Sequence, residues 1–302
     1  MSEQTSQALK NTFQGTGVVL IVGFFLGIVG PKLLTVKYHQ VESSARPAVL
    51  SAFSVTKELV VKAESASSKC APATERIYAL IVNHHLFAPD LIACGIRTAQ
   101  KQRPSVILLV SPNHFQAGRA PFLTTAADWQ TAFGIVKSDS EIVRFMDALA
   151  NTAIQDWPFS KEHGIGNIIP FLRNAFPNVP IVPLMVKDRV SLAEAAAYAD
   201  KLFRLLPDDA LVIGSFDFVH NKPEGETARL DSQSLSILEQ VDPVSVSGVE
   251  VDSRPGLALV VQLAKLRGAH QFRLLVRDSV ARRIGKPDSP ENVSYLIGLF
   301  TN

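Results

Sequence analysis

Tyr78-Ala-Leu-Ile-Val82, Ser105-Val-Ile-Leu-Leu-Val110 and Ala210-Leu-Val-Ile-Gly214 are three unbroken apolar runs. Each leads into a polar tip: Asn83-His84-His85, Ser111-Pro112-Asn113-His114 and Asp217-Phe218-Val219-His220. Continuous runs of this length describe β-strands covered on both faces. Open α/β sheets build their sites just beyond such strand ends. Four of the seven histidines lie in these tips, so the same stretches that decide the fold also mark the candidate site.

Outward from these runs, strand-like and helix-like segments alternate. Helices are expected over Pro89–Gln102, Ser140–Thr152, Asn167–Phe176, Ser191–Leu206, Arg229–Glu239 and Pro255–Gly268. Further strands are expected over Ile181–Val186, Phe272–Arg277 and Ser294–Phe300, and Gln116–Gly134 reads as a polar loop. The alternation predicts an α/β fold with a mostly parallel central sheet flanked by helices.

Composition narrows the function. Charged residues make up 19% of the 302 and hydrophobic ones 47%, which describes a core-building chain and not a disordered one. The net charge is only +2, with no basic stripe interleaved with aromatics, so no nucleic-acid partner is expected. Cys70 and Cys94 are too few for a disulfide framework or a zinc ribbon, and they read as two free thiols in preference to a bridge.

At the N-terminus, Gly17–Gly30 reads GVVLIVGFFLGIVG without a charge. Residues 16–36 are therefore expected to form a single transmembrane anchor, because a helix of that length spans ~30 Å. Residues 1–15 form its tail, 37–73 a stalk and 74–302 the folded domain. Lys10 on one side balances Lys32 and Lys37 on the other, so flanking charge does not orient the segment; the short tail, anchor and stalk predict a single-pass membrane protein with its domain outside the cytoplasm. Gly23-Phe-Phe-Leu-Gly27 within the anchor is a GxxxG, which packs homodimers in some helices, but glycine is common in such segments and the plain reading is preferred.

The chain contains no G-x-S-x-G elbow, P-loop, G-x-G-x-x-G or H-E-x-x-H. Serine hydrolysis, kinase chemistry and nicotinamide binding therefore lack support. What remains is a set of histidines and carboxylates, a donor set suited to iron, zinc or manganese. Adjacent His84 and His85 on extended chain point to opposite faces, so at most one of them faces the site. Asp217 and His220 are three residues apart, a spacing at which the carboxylate either orients the histidine or caps a helix. In Lys161-Glu162-His163-Gly164, Glu162 is placed to receive a ligand histidine's other N–H, or His163 to meet a substrate. Asp252-Ser253-Arg254-Pro255 opens a helix, with Asp252 or Ser253 as its N-cap.

Taken in order, these clusters resemble the MEMO family, also called AmmeMemoRadiSam system protein B, over about residues 76 to 302. The family's Pro-His-Ala-Gly is matched by Asn83-His84-His85-Leu86, and its Gly-Pro-Ser-His by Ser111-Pro112-Asn113-His114. Trp129–Gly134, Glu162–Phe171 and Ser215-Phe216-Asp217-Phe218-Val219-His220 follow the family's later motifs. Three positions depart from the pattern. Asp252 stands where the family has a metal-site cysteine, Asn167 where it has a second glutamate, and the Gly-Tyr after the first histidine is missing.

The resemblance implies a fold similar to the class III extradiol dioxygenases, which hold Fe(II) with two histidines and a carboxylate. On this chain His84, His114 and Asp252 would be the metal ligands. His220, oriented by Asp217, would be the general base, with His163 as a donor beside it. The implied cofactor is a divalent metal, Fe(II) first, then Zn or Cu. The implied activity is a non-haem oxygenase acting on a small, phenolic substrate. The alternative is a binding or scaffold module that keeps the fold without turnover.

Overall fold

The computed structural model describes residues 48–52 and 55–302. Its first elements are β1 (Val49–Ser51), α1 (Lys57–Ala66), β2 (Ala79–Val82), α2 (Pro89–Thr98) and β3 (Ile107–Pro112). Then come β4 (Phe122–Thr124), β5 (Asp128–Thr131), β6 (Gly134–Val136), α3 (Ser140–Asp147) and β7 (Thr152–Ile154). A 3-10 turn (Trp157–Lys161) leads into α4 (His163–Gly166), α5 (Ile169–Ala175), β8 (Ile181–Val186), α6 (Leu192–Leu205) and β9 (Leu211–Ser215). The chain closes with α7 (Glu224–Leu238), α8 (Arg254–Leu266), β10 (Gln271–Ser279), α9 (Val280–Ile284) and β11 (Ser294–Thr301).

Eight strands form the main sheet, in the order β10-β11-β2-β9-β3-β8-β4-β7, and β1-β5-β6 form a smaller one. The four central strands, β2, β9, β3 and β8, run parallel. The expectation of a mostly parallel sheet needs correction, because the sheet is mixed. The β10–β11 hairpin adds antiparallel strands beside β2, and β4 lies antiparallel to β8.

Side-chain alternation along the central strands divides the interior in two. Ala79, Ile81, Leu108, Val110, Val182 and Leu184 face one core, capped by α3, α6 and α8 through Val143, Tyr198, Leu202 and Leu259. Leu80, Val82, Ile107, Leu109, Ile181 and Ile213 face the other, capped by α1, α2 and α5 through Val60, Ile92, Ile96 and Phe171. Both faces being covered explains why the strands carry no polar alternation. Truncating a fully buried Leu or Ile here to Ala is expected to destabilise by about 2–5 kcal/mol.

The stretch expected as a polar loop contains β4 and β5 and leads into β6, strands of only 3, 4 and 3 residues. Such short strands carry too little periodicity to be read. Residues 48–52 and 55–73 of the stretch expected as a stalk are also part of the fold. β1 pairs with β5, and Ala73 donates to the Thr98 carbonyl. That return path brings Cys70 onto α2, where it forms a disulfide with Cys94. The expectation of two free thiols is thereby corrected; it rested on cysteine number and could not see the fold-back.

The transmembrane anchor expected over residues 16–36, with its dimer motif, lies outside the described residues. Among the described residues no helix is long and apolar enough to cross a membrane. The expected single-pass membrane localisation, with its membrane partner and extracytoplasmic domain, is withdrawn on this finding.

Candidate metal centre

Three of the parallel strands deliver the site. His84 lies two residues past the end of β2, His114 two past β3, and Asp217 two past β9. Asp252 comes from the loop before α8. That helix is capped by Ser253, whose Oγ accepts the Gly256 N–H, so the Asp252 carboxylate is free to turn inward. Glycine at 214 and 256 makes room for the Phe216 ring, which a Cβ on either residue would meet at 2.5 and 2.9 Å. The buried ring wedges β9 against the start of α8. The Asp217 N–H then donates to Asp252 Oδ2 at 2.9 Å, and the Asp252 N–H donates to the Asp217 carbonyl.

His84 is 2% exposed and stands at the centre of the cluster. Its Nε2 lies 3.2 Å from Asp217 Oδ2 and 3.4 Å from Asp252 Oδ2. Its Nδ1 is 3.1 Å from Ser215 Oγ, and its carbonyl accepts from the Asn167 amide. His114 approaches from the next strand, with Nε2 3.9 Å from Asp252 Oδ2. Its Nδ1 donates to Glu162 Oε1 at 2.6 Å. Glu162 is fully buried and also accepts the backbone N–H groups of His114 and Gly164.

His163 stacks on His114, with ring centroids 4.1 Å apart, and lies edge-on to His84 at 5.1 Å. His85 turns away from the cluster, and its Nδ1 pairs with the Tyr295 hydroxyl at 2.8 Å. This is the opposite-face geometry expected of two neighbours on extended chain.

Burial governs the charges. It pushes Asp217 up to about 7, against lowering by the backbone N–H groups of His84 and His85. Burial, with the Asp217 carboxylate beside it, drives Asp252 well above the usual carboxylate range. Burial, with His114 and His163 nearby, holds His84 well below the usual imidazole range. Burial and His114 also lower His163. Two acids that resist ionising and a histidine that resists protonation therefore share one small volume.

The structure brings together His84, His114, Asp217, Asp252 and His163. Donor atoms of His84, His114 and His163 lie within 4.8 Å of one another, as do those of His84, Asp217 and Asp252. His220 stands apart from its expected partner. Its Nδ1 donates to the Phe218 carbonyl at 2.6 Å, while the Asp217 carboxylate is taken up by His84. The reading of Asp217 as the group that orients His220 is therefore replaced. Sequence reasoning missed Ser215, whose only signal was its place inside the Ser215–His220 cluster.

The donor chemistry fits a divalent cation. Imidazole nitrogens and carboxylate oxygens converge, and Asp252 Oδ1 is buried with no hydrogen-bond partner. An orphaned buried carboxylate oxygen calls for a proton or a cation.

An α/β protein with a histidine–carboxylate cluster at its strand ends is thus defined. Residues 54–296 match the family described as Memo-like protein, and the chain belongs to that family. A MEMO1 family protein of Thermotoga maritima is 31% identical over 163 residues, covering 53% of this chain and 58% of that protein. Another, from Pyrobaculum aerophilum, is 29% identical over 210 residues, covering 66% of this chain and 73% of the relative. The match thus spans little more than half the length of the Thermotoga relative. The crystal structure of an uncharacterized protein, JW3007 from Escherichia coli K12, is similar in fold. Its TM-score is 0.51 at 18% identity, covering 73% of this chain and 99% of that one.

Proposed function

We propose that this chain is a metal-dependent enzyme of the Memo-like family, with His84, His114 and Asp252 as ligands to a divalent ion and Asp217 beside them. One observation carries the reading: His84 Nε2 and His114 Nε2, from separate strand ends, lie 3.4 and 3.9 Å from Asp252 Oδ2, while the second oxygen of the same carboxylate, Oδ1, is buried with no partner. Aspartate at 252 gives a harder donor set than cysteine would, which favours Fe(II) over Cu, with Zn as the next choice. A two-histidine, one-carboxylate site leaves open positions at such an ion for a substrate and dioxygen.

The chain's own residues supply the rest. Glu162 holds the His114 ring through Nδ1 and aims its other nitrogen at the cluster. His220 donates from Nδ1 to the Phe218 carbonyl, so its Nε2 carries the lone pair and can take a proton. His163, half-exposed and stacked on His114, stands where a substrate hydroxyl or carboxylate would meet a donor. A small phenolic substrate fits this division of roles.

The test is to purify the full chain anaerobically, measure bound metal by elemental analysis, and follow oxygen uptake with a panel of catechols. Near-stoichiometric iron that disappears in Asp252→Ala, together with catechol-dependent oxygen uptake, supports the reading. Metal binding without turnover of any phenol would leave a binding module. Equal Fe(II) binding by the parent and a His84→Ala, Asp252→Ala double variant would sink the metal assignment.

A further inference from the structure

We propose that Ser215 is the positioning residue that fixes the tautomer of His84 and so makes its Nε2 the atom available to a metal. This inference rests on the metal reading given above.

Ser215 is the last residue of β9 and is fully buried. Its hydroxyl has one proton to give, and it lies 2.6 Å from the Gly164 carbonyl, an acceptor that cannot donate in return. The hydroxyl proton therefore goes to Gly164. What Ser215 Oγ presents to His84, 3.1 Å away, is a lone pair. Nδ1 must then be the nitrogen that carries hydrogen. A neutral imidazole has one N–H, so the lone pair is left on Nε2, the nitrogen facing Asp217 and Asp252.

The carbonyl that sets this direction is itself held in place. A Cβ on residue 164 would lie 2.1 Å from Ser111 Oγ, so only glycine lets this backbone come so close to β3. The Gly164 N–H is bound by Glu162 Oε1 at 2.9 Å. Glu162 orients His114 as well, so one short segment, Glu162 to Gly164, sets the ring state of both histidines. It acts on His114 directly through a carboxylate and on His84 through Ser215. Hydrogen bonds to the far nitrogen of a ligand histidine commonly change metal affinity about 10–100-fold.

The experiment uses the full chain labelled with 15N-histidine, stripped of metal with EDTA, and compares the parent with Ser215→Ala and Ser215→Thr. His84→Gln assigns the resonances. The parent is expected to show His84 with a protonated, pyrrole-type Nδ1 and a pyridine-type Nε2. Ser215→Ala is expected to shift population to the other tautomer and to weaken Co(II) binding by about 10–100-fold. Ser215→Thr, which keeps the hydroxyl, is expected to restore the parent pattern. A parent whose His84 carries its proton on Nε2 would overturn the proposal, whatever the Ser215 variants do. An unchanged tautomer in Ser215→Ala would overturn it too. A parent that binds no Co(II) while His84 remains Nδ1-protonated would overturn the metal reading and leave the tautomer assignment standing.

Discussion

The buried carboxylate of Glu162 accepts the Nδ1–H of His114 at 2.6 Å, and the same side chain caps α4 by accepting the Gly164 N–H. One acid thus joins a helix start to the orientation of a site histidine. Glu162→Gln keeps the shape but puts an amide where an anion was. Metal affinity is expected to fall about 10–100-fold, read by isothermal titration of Co(II) into the metal-free protein. An unchanged affinity would mean that His114 does not depend on this contact.

Asp252 sets its carboxylate Oδ2 3.4 Å from His84 Nε2 and 3.9 Å from His114 Nε2. Asp252→Cys is expected to move selectivity from harder to softer ions, raising Zn(II) and Cu(I) occupancy relative to Fe(II). Competition between equimolar metals, followed by elemental analysis, reads the change. Identical metal ratios in parent and variant would remove Asp252 from the ligand set.

The buried acids set a pH dependence with a definite sign. An unfolded aspartate titrates at about 4, and folded Asp217 at about 7. Its contribution to stability is present below the lower value and lost as pH rises through the higher one. Asp252 moves in the same direction. His84 acts the other way: its folded form resists protonation, so its contribution is lost as pH falls below about 6.5. His85, His163 and His220 are lowered by burial too and act in the same sense as His84, and well above that value the two acids dominate the slope. The urea midpoint of the metal-free protein is therefore expected to fall between pH 6.5 and pH 8. Saturating metal, which displaces protons from the site, is expected to reverse that slope. A rising midpoint without metal would contradict the burial of these carboxylates.

The Cys70–Cys94 bridge closes a loop between residues 24 apart in sequence. Chain entropy assigns a loop of that size about 3 kcal/mol of stability. Cys70→Ser is expected to lower the denaturation midpoint accordingly, with dithiothreitol producing the same shift in the parent and none in the variant. Equal midpoints with and without reductant would show that the bridge contributes nothing.

Gly164→Ala tests the close approach to Ser111. The added methyl would sit 2.1 Å from Ser111 Oγ, and overpacking of this kind destabilises by about 1–3 kcal/mol. Thermal denaturation gives the size of the loss.

The central strands and the helices on them were legible because burial on both sides leaves an unbroken apolar signature. His84, His114, Asp217 and Glu162 were legible for a related reason: they follow strand ends or open a helix, where polar residues after apolar runs stand out. Three features were hidden. The sequence leaves Asp252 and Ser253 as equal candidates for the helix cap, and the fold gives the cap to Ser253. Asp217 turns to His84, a partner distant in sequence, and not to nearby His220. Ser215 is an ordinary serine until the Gly164 carbonyl is placed against it.

The donors come from four well-separated stretches of chain: the ends of β2, β3 and β9 and the approach to α8. No two neighbouring elements can assemble them alone. The cluster is therefore complete only after β9 has inserted between β2 and β3. Long-range pairing of this kind is a slow, late event in folding. An ion held by His84, His114 and Asp252, as proposed, would meet its full ligand set only in the assembled sheet. Ion capture during refolding should therefore lag behind secondary structure and coincide with the last tertiary step.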